Sequence, residues 1–175
     1  MSDSNAELPA RLTRSTLISV HVDICRATSI ISELADEIKT VLFFDGFYDL
    51  CGEQIDAAGG EVVKYMGDSC LAVFPEDKAT EAIESVSKLR LEFVDYCRTR
   101  QVKPTDLRAG VHVGEVTMGE FGPRRQRDVM GRSSSIAIAM PGTGVTISEQ
   151  VYRKLPSASR SPWKKQGAQV TYGIP

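Results

Sequence analysis

The stretch GGEVVKYMGD, residues 59–68, decides the fold. An apolar, β-branched run ends there in Gly67-Asp68, and a second apolar run, residues 71–74, follows closely. Two such runs around a Gly-Asp pair are typical of a β-hairpin with a short turn. Upstream, the strand-like run VHVDI, residues 20–24, brings Asp23 to the end of another strand. A strand that ends in Asp, followed by a hairpin with Asp in its turn, can place two carboxylates side by side.

The two carboxylates have two interpretations. Paired acids at adjacent strand ends suit two divalent cations that hold a triphosphate. Equally, Asp23 is a residue type that ends strands or caps helices, and Gly67-Asp68 is ordinary turn chemistry. The spacing of these residues leaves both interpretations open.

Length and composition indicate one globular domain. The chain has 175 residues, of which 42% are hydrophobic and 25% charged, enough for a core of its own. A net charge of −2 gives no electrostatic footprint for nucleic acid or an anionic membrane, and no apolar stretch approaches membrane-spanning length. We therefore expect no nucleic-acid partner and no membrane partner. The polar N-terminus predicts a disordered lead-in over residues 1–14, with the domain at 15–175.

The four cysteines show no C-x-x-C pairing and no secretion signal precedes them, so we expect free thiols and a cytoplasmic location. A zinc site is disfavoured, because His21 and His112 are the two histidines available as further ligands.

Hydrophobic periodicity predicts the elements. In chain order they are a strand at 17–22, a helix at 27–58 broken near Asp45-Gly46, a hairpin at 61–74, a helix at 77–96, a hairpin at 107–121 around Gly114, a helix at 133–140, a strand at 145–147 and a turn at 148–155. This βααββαβ order, with additions, favours an α+β, ferredoxin-like fold with a mainly antiparallel sheet and helices on one face.

Each of the two long helices has a predicted core stripe. The first comprises Ile30, Ile31, Leu34, Ile38, Val41 and Leu42. The second comprises Ala79, Ala82, Ile83, Val86, Leu89 and Phe93.

Three blocks in order resemble the class III nucleotidyl cyclase catalytic domain. They are the Asp after the first strand, GGEVVKYMGDSCLAVFP at residues 59–75 and LRAGVHVGEVTMGEFG at residues 107–122. The resemblance extends over roughly residues 15–174. It implies conversion of ATP to cyclic AMP and pyrophosphate for intracellular signalling, with two divalent cations, Mg²⁺ or Mn²⁺, as cofactors.

The resemblance also implies roles for individual residues. Asp23, Asp68 and the carbonyl of Ile24 correspond to the metal ligands. Thr28 corresponds to a phosphate contact. Arg26 stands where the family has glycine, and it either adds positive charge near the phosphates or crowds the loop.

Base recognition is implied for Lys64 and Asp128. A Lys donor and an Asp acceptor match the ring nitrogen and amino group of adenine, whereas guanine presents the opposite pattern. The simpler interpretation is a lysine on a solvated strand face and an aspartate in a charged loop.

The next block departs from the family pattern. Ser135 stands at the position of the family's ribose-orienting Asn, and Ala139 stands at the position of its transition-state Arg. We predict Ser135 and Arg132 as the remaining catalytic candidates. Arg132 belongs to a cluster with Arg124, Arg125 and Arg127, which either compensates for the missing Arg or is a solvated loop. Near the C-terminus, Tyr172 replaces a phosphate-contacting Lys.

Four functions follow from the resemblance, in which each site lies at a dimer interface. The first is an active, ATP-using cyclase that works as a homodimer with substituted transition-state residues. The second is half of a heterodimer whose partner supplies the missing Asn and Arg. The third is a nucleotide-binding regulatory module without turnover, and the fourth is a pyrimidine nucleotide cyclase.

Overall fold

The computed structural model describes residues 8–140, 142–166 and 171–174. The elements in these ranges are β1 Leu12–Ile24, α1 Ala27–Leu34, α2 Glu37–Ala57, β2 Glu61–Met66, β3 Ser69–Pro75, α3 Ala79–Thr99, β4 Leu107–Phe121, β5 Gln126–Met130, α4 Arg132–Ile138, β6 Val145–Ser148, α5 Glu149–Lys154, a 3₁₀ turn Ser157–Ser159, β7 Lys164–Gln166 and β8 Thr171–Ile174.

The described strands form one eight-stranded sheet. Its order is β2-β3-β1-β4-β6-β8-β7, and β5 pairs with β4. The pairing of β4 with β6 is parallel, and the other pairings in the described sheet are antiparallel. The predicted α+β fold with a mainly antiparallel sheet is therefore confirmed.

The main core lies between the sheet and the long helices. Alternate residues of β1 point into it, because successive side chains of a strand face opposite sides. Ile18, Val20 and Val22 are fully buried there. Phe47 of α2 and Phe93 of α3 pack edge to face above the sheet, with ring centroids 5.6 Å apart. The six positions predicted for the α3 stripe are all buried, so that prediction is confirmed.

The predicted stripe of the first long helix is correct at Ile30, which is buried, and at Leu34, which packs against the core, but it is wrong at its other four positions. Ile31, Ile38, Val41 and Leu42 are 45%, 72%, 61% and 52% exposed. The face of α2 that enters the core instead follows an i, i+4 series, formed by Phe43, Phe47, Cys51 and Ile55.

The break between α1 and α2 explains this error. It lies at Ala35-Asp36, where Ala35 is left-handed at φ 48° and the Asp36 side chain accepts a hydrogen bond from the Lys39 amide at 2.8 Å. The predicted break at Asp45-Gly46 is wrong, since both residues lie inside α2. A Cβ on Gly46 would come within 2.3 Å of the Tyr96 hydroxyl, so this glycine permits close contact between α2 and α3.

The short helix α4 packs against the opposite face of the sheet. Ser19 and Ser133 approach within 3.3 Å there, and Ser19 alternates with the core residues of β1. A Cβ on Gly110 would lie 2.1 Å from the Ala137 carbonyl, so glycine is required where α4 crosses β4. β4 runs unbroken through Gly114, and the predicted hairpin at that residue is wrong.

Several boundaries also differ from prediction. The hairpin that does exist joins β4 to the unpredicted β5. The predicted turn at 148–155 contains α5, which Ser148 caps by accepting a hydrogen bond from the Val151 amide at 3.4 Å. β1 begins at Leu12, so part of the expected lead-in belongs to the sheet, whereas residues 1–7 lie outside the described residues. β7 and β8 extend the sheet beyond β6.

Candidate active site

The two predicted metal-binding acids lie close together at one end of the sheet, where β1 ends and β2 turns into β3. Asp23 is the penultimate residue of β1, and Asp68 lies in the two-residue turn between β2 and β3. The Ile24 amide donates a hydrogen bond to the Asp68 carbonyl at 2.9 Å, which joins the end of β1 to the turn. The three predicted ligand residues are therefore brought together.

Arg108 is a neighbour of Asp23 that the sequence analysis missed. Its guanidinium donates two hydrogen bonds to the Asp23 carboxylate, at 2.9 and 2.5 Å. This bidentate ion pair raises the pKa of Arg108, with a further contribution from the charge of Asp68. Strand alternation places Arg108 on the face opposite the buried Leu107. Its partner is set by the β1–β4 register, which periodicity does not reveal.

His21 lies on the same face, two residues before Asp23, and is 6% exposed. Burial lowers its pKa, while the charges of Asp23 and Asp68 act in the opposite direction. In the part of the chain that the structure describes, no group of three or more His, Cys, Asp or Glu gathers as a metal cluster. The four cysteines are free thiols. A nitrogen and sulfur site of the zinc type is thus absent from the described residues.

The donors at this edge fit a hard divalent cation. Two carboxylates and a backbone carbonyl are oxygen ligands, which Mg²⁺ and Mn²⁺ prefer. Asp68 is exposed, and the Asp23 side chain is 20% exposed, so both carboxylates are open to solvent. With no cation bound, the Arg108 guanidinium neutralises the Asp23 carboxylate.

Lys64 and Asp128, the predicted base-reading residues, also lie together. The Lys64 ammonium is 2.8 and 2.9 Å from the two Asp128 carboxylate oxygens, and Asp128 also accepts a hydrogen bond from the Val129 amide at 2.7 Å. The side chains are 36% and 22% exposed. They form a donor and an acceptor side by side, as adenine recognition requires, and their role remains a prediction.

A β-bulge between Val62 and Lys64 aims the lysine. Because of this bulge, Glu61 and Lys64 pair with residues of β3 that share one face of the sheet, although they are three positions apart. Glu61 holds Arg127 through two hydrogen bonds at 2.7 and 2.9 Å. Together with the Lys64–Asp128 pair, this contact joins β5 to β2 at two ion pairs, although the two strands do not pair in the sheet.

Arg26 has the backbone conformation that explains the family's glycine. Its φ of 62° is left-handed, and it immediately precedes α1. Its side chain is exposed and lines a shallow depression that also includes Glu33 and Lys103. Thr28 is exposed in the first turn of α1, where its carbonyl accepts a hydrogen bond from the Ser32 hydroxyl at 3.0 Å.

The α4 region contains the two predicted catalytic residues and a cavity of about 380 Å³. Arg132 and Ser135 are exposed and line this cavity, and Ala139 lines it just after the end of the helix. The Ser135 hydroxyl is 3.3 Å from the Gly131 carbonyl, to which it donates a hydrogen bond. No cationic side chain replaces the family Arg at position 139 itself.

His112 also lines this cavity and was missed as part of the site. It is 7% exposed, and its Nδ1 is buried with no hydrogen-bond partner within the described structure. Burial, and secondarily the charge of Arg132, lowers the pKa of His112. The GVHVG block contains this histidine, and strand alternation from the buried Val111 predicts its face.

The remaining arginines of the cluster occupy other places. Arg127 is bound to Glu61, and Arg124 and Arg125 lie in the turn between β4 and β5. Tyr172, at the position of the family's phosphate-contacting Lys, stacks on Tyr152 of α5 with ring centroids 3.8 Å apart. Arg132 is the member of the cluster that lines the cavity beside Ser135.

Comparison with known proteins places this chain in a family. Residues 14–170 match the family described as the adenylate and guanylate cyclase catalytic domain. An adenylate cyclase of Anabaena cylindrica is 30% identical over 166 residues, which cover 86% of this chain and 33% of that protein. The chain therefore belongs to the adenylate and guanylate cyclase catalytic domain family, and it spans about a third of the length of this relative.

Solved structures show the same fold. The adenylyl cyclase CyaB from P. aeruginosa matches with a TM-score of 0.78 at 20% identity, over 92% of this chain and 94% of that chain. The guanylate cyclase domain of RhGC from Catenaria anguillulae, solved in complex with GTP, matches with a TM-score of 0.75 at 19% identity, over 91% and 96% of the two chains. In the residues described here, no helix has both the length and the apolar character needed to cross a membrane.

Proposed function

We propose that this domain is a metal-dependent nucleotidyl cyclase that converts ATP to 3′,5′-cyclic AMP and pyrophosphate. The observation that carries the proposal is the presence of two half-sites on one face of the sheet. One consists of Asp23, Asp68 and the Ile24 backbone. The other is the Lys64–Asp128 pair, which offers the hydrogen-bonding pattern of adenine recognition.

In the proposed reaction, the ribose 3′-oxygen forms a bond to the α-phosphorus and the bond from that phosphorus to the bridging oxygen of the β-phosphate breaks. Pyrophosphate leaves with that electron pair, and the hydroxyl proton passes to solvent. Two divalent cations, when bound, supply the positive charge that acidifies the hydroxyl and neutralises the phosphates. Asp23, Asp68 and the Ile24 carbonyl are the residues that would hold these cations.

Arg108 gives the metal-free site a counter-charge. Its guanidinium neutralises the Asp23 carboxylate, and a bound cation would compete with Arg108 for that carboxylate. We propose that Arg108 is then free to bind a phosphate oxygen, because a guanidinium fork matches phosphate as well as carboxylate. Arg108 would thus have an anionic partner in both states, Asp23 in the metal-free site and a phosphate oxygen in the loaded site.

The resemblance implies that each site is shared between two chains. Tyr65 and Met66 separate Lys64 from Gly67, and these three residue steps of extended chain span about 10 Å. A two-fold arrangement would place the base-reading pair of one subunit opposite the acids of the other, as the resemblance implies. We propose a homodimer, with a heterodimer as the alternative in which a second cyclase domain supplies the missing Asn and Arg.

Turnover should be slow. Ser135 donates to the Gly131 carbonyl and Ala139 provides no charge, so the ribose lacks its usual orienting Asn and the pentavalent phosphate lacks its usual Arg. Loss of one preorganised donor costs about 10²–10³ in rate. We expect Mn²⁺ to be preferred over Mg²⁺, because tighter metal binding partly offsets poor phosphate stabilisation.

The same two positions favour a second candidate function, a nucleotide-binding regulatory module without turnover. An assay of ATP, GTP, CTP and UTP with Mn²⁺ and with Mg²⁺ separates the candidates. Cyclic AMP as the main product supports the proposal, and cyclic CMP or UMP supports a pyrimidine cyclase. Nucleotide binding with no cyclic product supports the regulatory module.

The cytoplasmic location remains a prediction.

A further inference from the structure

The turn that carries Asp68 receives hydrogen bonds from two elements outside its hairpin. The Ile24 amide at the end of β1 donates to the Asp68 carbonyl at 2.9 Å. The Tyr48 hydroxyl, from the middle of α2, donates to the Gly67 carbonyl at 2.7 Å. Both bonds end on the peptide units immediately around Asp68, so they constrain where its carboxylate is presented.

Side-chain packing provides little constraint on this turn. Gly67 is left-handed at φ 65°, and a Cβ built on it would meet no atom within 4 Å. Gly67 and Asp68 are both exposed. In a turn without packed neighbours, individual hydrogen bonds determine the position of the backbone.

Tyr48 packs against a tyrosine of the same hairpin that carries the Asp68 turn. Its ring stacks on the ring of Tyr65, with centroids 4.3 Å apart and an interplanar angle of 23°. The Tyr65 hydroxyl donates to the Tyr48 carbonyl at 3.1 Å. The two hydroxyls therefore have different acceptors, the Asp68 turn for Tyr48 and the α2 backbone for Tyr65.

The electrostatics agree with this proximity. Burial raises the pKa of Tyr48, and the charge of Asp68 raises it further. The hydroxyl therefore stays protonated at neutral pH and acts as a hydrogen-bond donor. The contribution of Asp68 shows that its carboxylate lies near the Tyr48 hydroxyl.

We infer that Tyr48 is a positioning residue for the metal site, whose hydroxyl holds the Gly67 carbonyl so that Asp68 presents its carboxylate next to Asp23. The inference rests on the proposed function, because it assigns Asp68 as a cation ligand. Partners that orient the ligands of a metal usually change its affinity by about 10–100-fold when they are removed.

The test uses two matched variants of the whole chain. Tyr48→Phe keeps the stacked ring and removes the bond to the turn. Tyr65→Phe keeps the same stack and removes the bond to the α2 backbone. Mn²⁺ affinity is measured by electron paramagnetic resonance in the presence of a non-hydrolysable ATP analogue. We expect the Mn²⁺ Kd to rise about tenfold in Tyr48→Phe and to change less than about twofold in Tyr65→Phe.

A second measurement needs no metal. Hydrogen exchange of the peptide covering residues 66–69 should be faster in metal-free Tyr48→Phe than in the parent, with no such change in Tyr65→Phe. Equal Mn²⁺ affinity in Tyr48→Phe and the parent overturns the inference, as does equal loss in both variants. A parent that binds neither Mn²⁺ nor nucleotide overturns the proposed function, and unchanged exchange in Tyr48→Phe then also rejects the contact as a constraint on the turn.

Discussion

At the scale of single residues, Asp23 and Asp68 are expected to matter for metal binding far more than for folding. Asp23→Asn or Asp68→Asn should abolish Mn²⁺-dependent nucleotide binding, measured by titration calorimetry. The Arg108 side chain, 40% exposed, remains in contact with water when Asp23 loses its charge. We therefore expect a loss of only about 1–2 kcal/mol in the free energy of unfolding.

Asp95→Asn is the control for this prediction, because Asp95 is a surface carboxylate paired with Arg98 on α3. It should bind nucleotide and Mn²⁺ like the parent. Undiminished binding in either Asp23→Asn or Asp68→Asn would contradict the metal assignment.

Arg26 has a cost that glycine would avoid. A left-handed non-glycine residue is strained by about 1–2 kcal/mol in the folded state. Glycine removes this strain, but its greater freedom in the unfolded chain lowers the free energy of unfolding by about 0.5–1 kcal/mol. Arg26→Gly should therefore stabilise the protein by about 0.5–1 kcal/mol in urea unfolding. Arg98→Gly, in the last turn of α3, should instead destabilise the protein, by less than the roughly 1 kcal/mol that glycine costs in a helix interior. A loss of stability in Arg26→Gly would show that the side chain contributes more than its backbone strain costs.

The residues show where sequence information is sufficient and where it is not. Lys64 and Asp128 are 64 positions apart, yet family motifs predicted their association and the structure places them in contact. The bond from Arg108 to Asp23 depends on the register of two long strands, and the bond from Tyr48 to Gly67 depends on how α2 crosses the hairpin. Neither is encoded in a local pattern.

At the scale of elements, the α4 region has Ser135 and Ala139 at the family's Asn and Arg positions, and Arg132 is the candidate that partly compensates for them. Arg132 is the arginine of its cluster that lines the cavity beside Ser135, so Arg132→Ala should lower any cyclase turnover by about 10²-fold. Arg124→Ala, in the β4–β5 turn, is the matched control and should leave the rate unchanged. Equal rates for Arg132→Ala and the parent would remove Arg132 from the mechanism.

β1 and β4 bury one histidine each, which predicts a pH dependence. Burial lowers the pKa of His21 and His112 below the usual 6.5, so below that pH the unfolded chain binds protons more readily than the folded one. Stability should be fully present above about pH 6.5 and should fall on acidification, by up to about 1.4 kcal/mol per pH unit for each histidine.

Urea unfolding at pH 7.5 and pH 5.5 checks this prediction. His112→Gln should show a smaller loss between the two values than the parent. An identical loss in parent and variant would mean that His112 takes no part in the acid sensitivity.

Glycine is the residue type that most misled the prediction of elements. Gly46 and Gly114 were interpreted as breaks, because glycine is common in turns. In the structure both lie inside regular elements. Gly46 accommodates the Tyr96 hydroxyl, and Gly114 lies opposite Leu17 in the β1–β4 ladder, close to Ser133 of α4. A glycine that allows two elements to approach cannot be distinguished locally from a glycine that bends the chain.

At the scale of the whole molecule, the mainly antiparallel sheet was predictable because the apolar, β-branched runs and the order of elements along the chain indicated an α+β fold. The additional strands β5, β7 and β8 have five, three and four residues, and each forms by pairing with a neighbouring strand. The assembly of two chains is the remaining step, and it makes the strongest prediction about the site.

If each site is shared across a two-fold dimer, two inactive variants should complement each other. Asp68→Asn lacks one half-site and Lys64→Ala lacks the other, so a mixed dimer contains one intact site and one doubly defective site. Random mixing makes about half of the dimers mixed, and we expect about a quarter of the parental rate. Mixtures of each variant with itself serve as controls. No recovery in a mixture shown by sedimentation to be dimeric would contradict a shared site.

The measurement that tests the central claim most directly is cyclic nucleotide production by the purified chain. ATP, GTP, CTP and UTP are each supplied with Mn²⁺ or Mg²⁺, and the product is identified by chromatography against Asp68→Asn as the control. The account predicts slow formation of cyclic AMP, faster with Mn²⁺ than with Mg²⁺ and absent in the variant. No cyclic product from any triphosphate would contradict it.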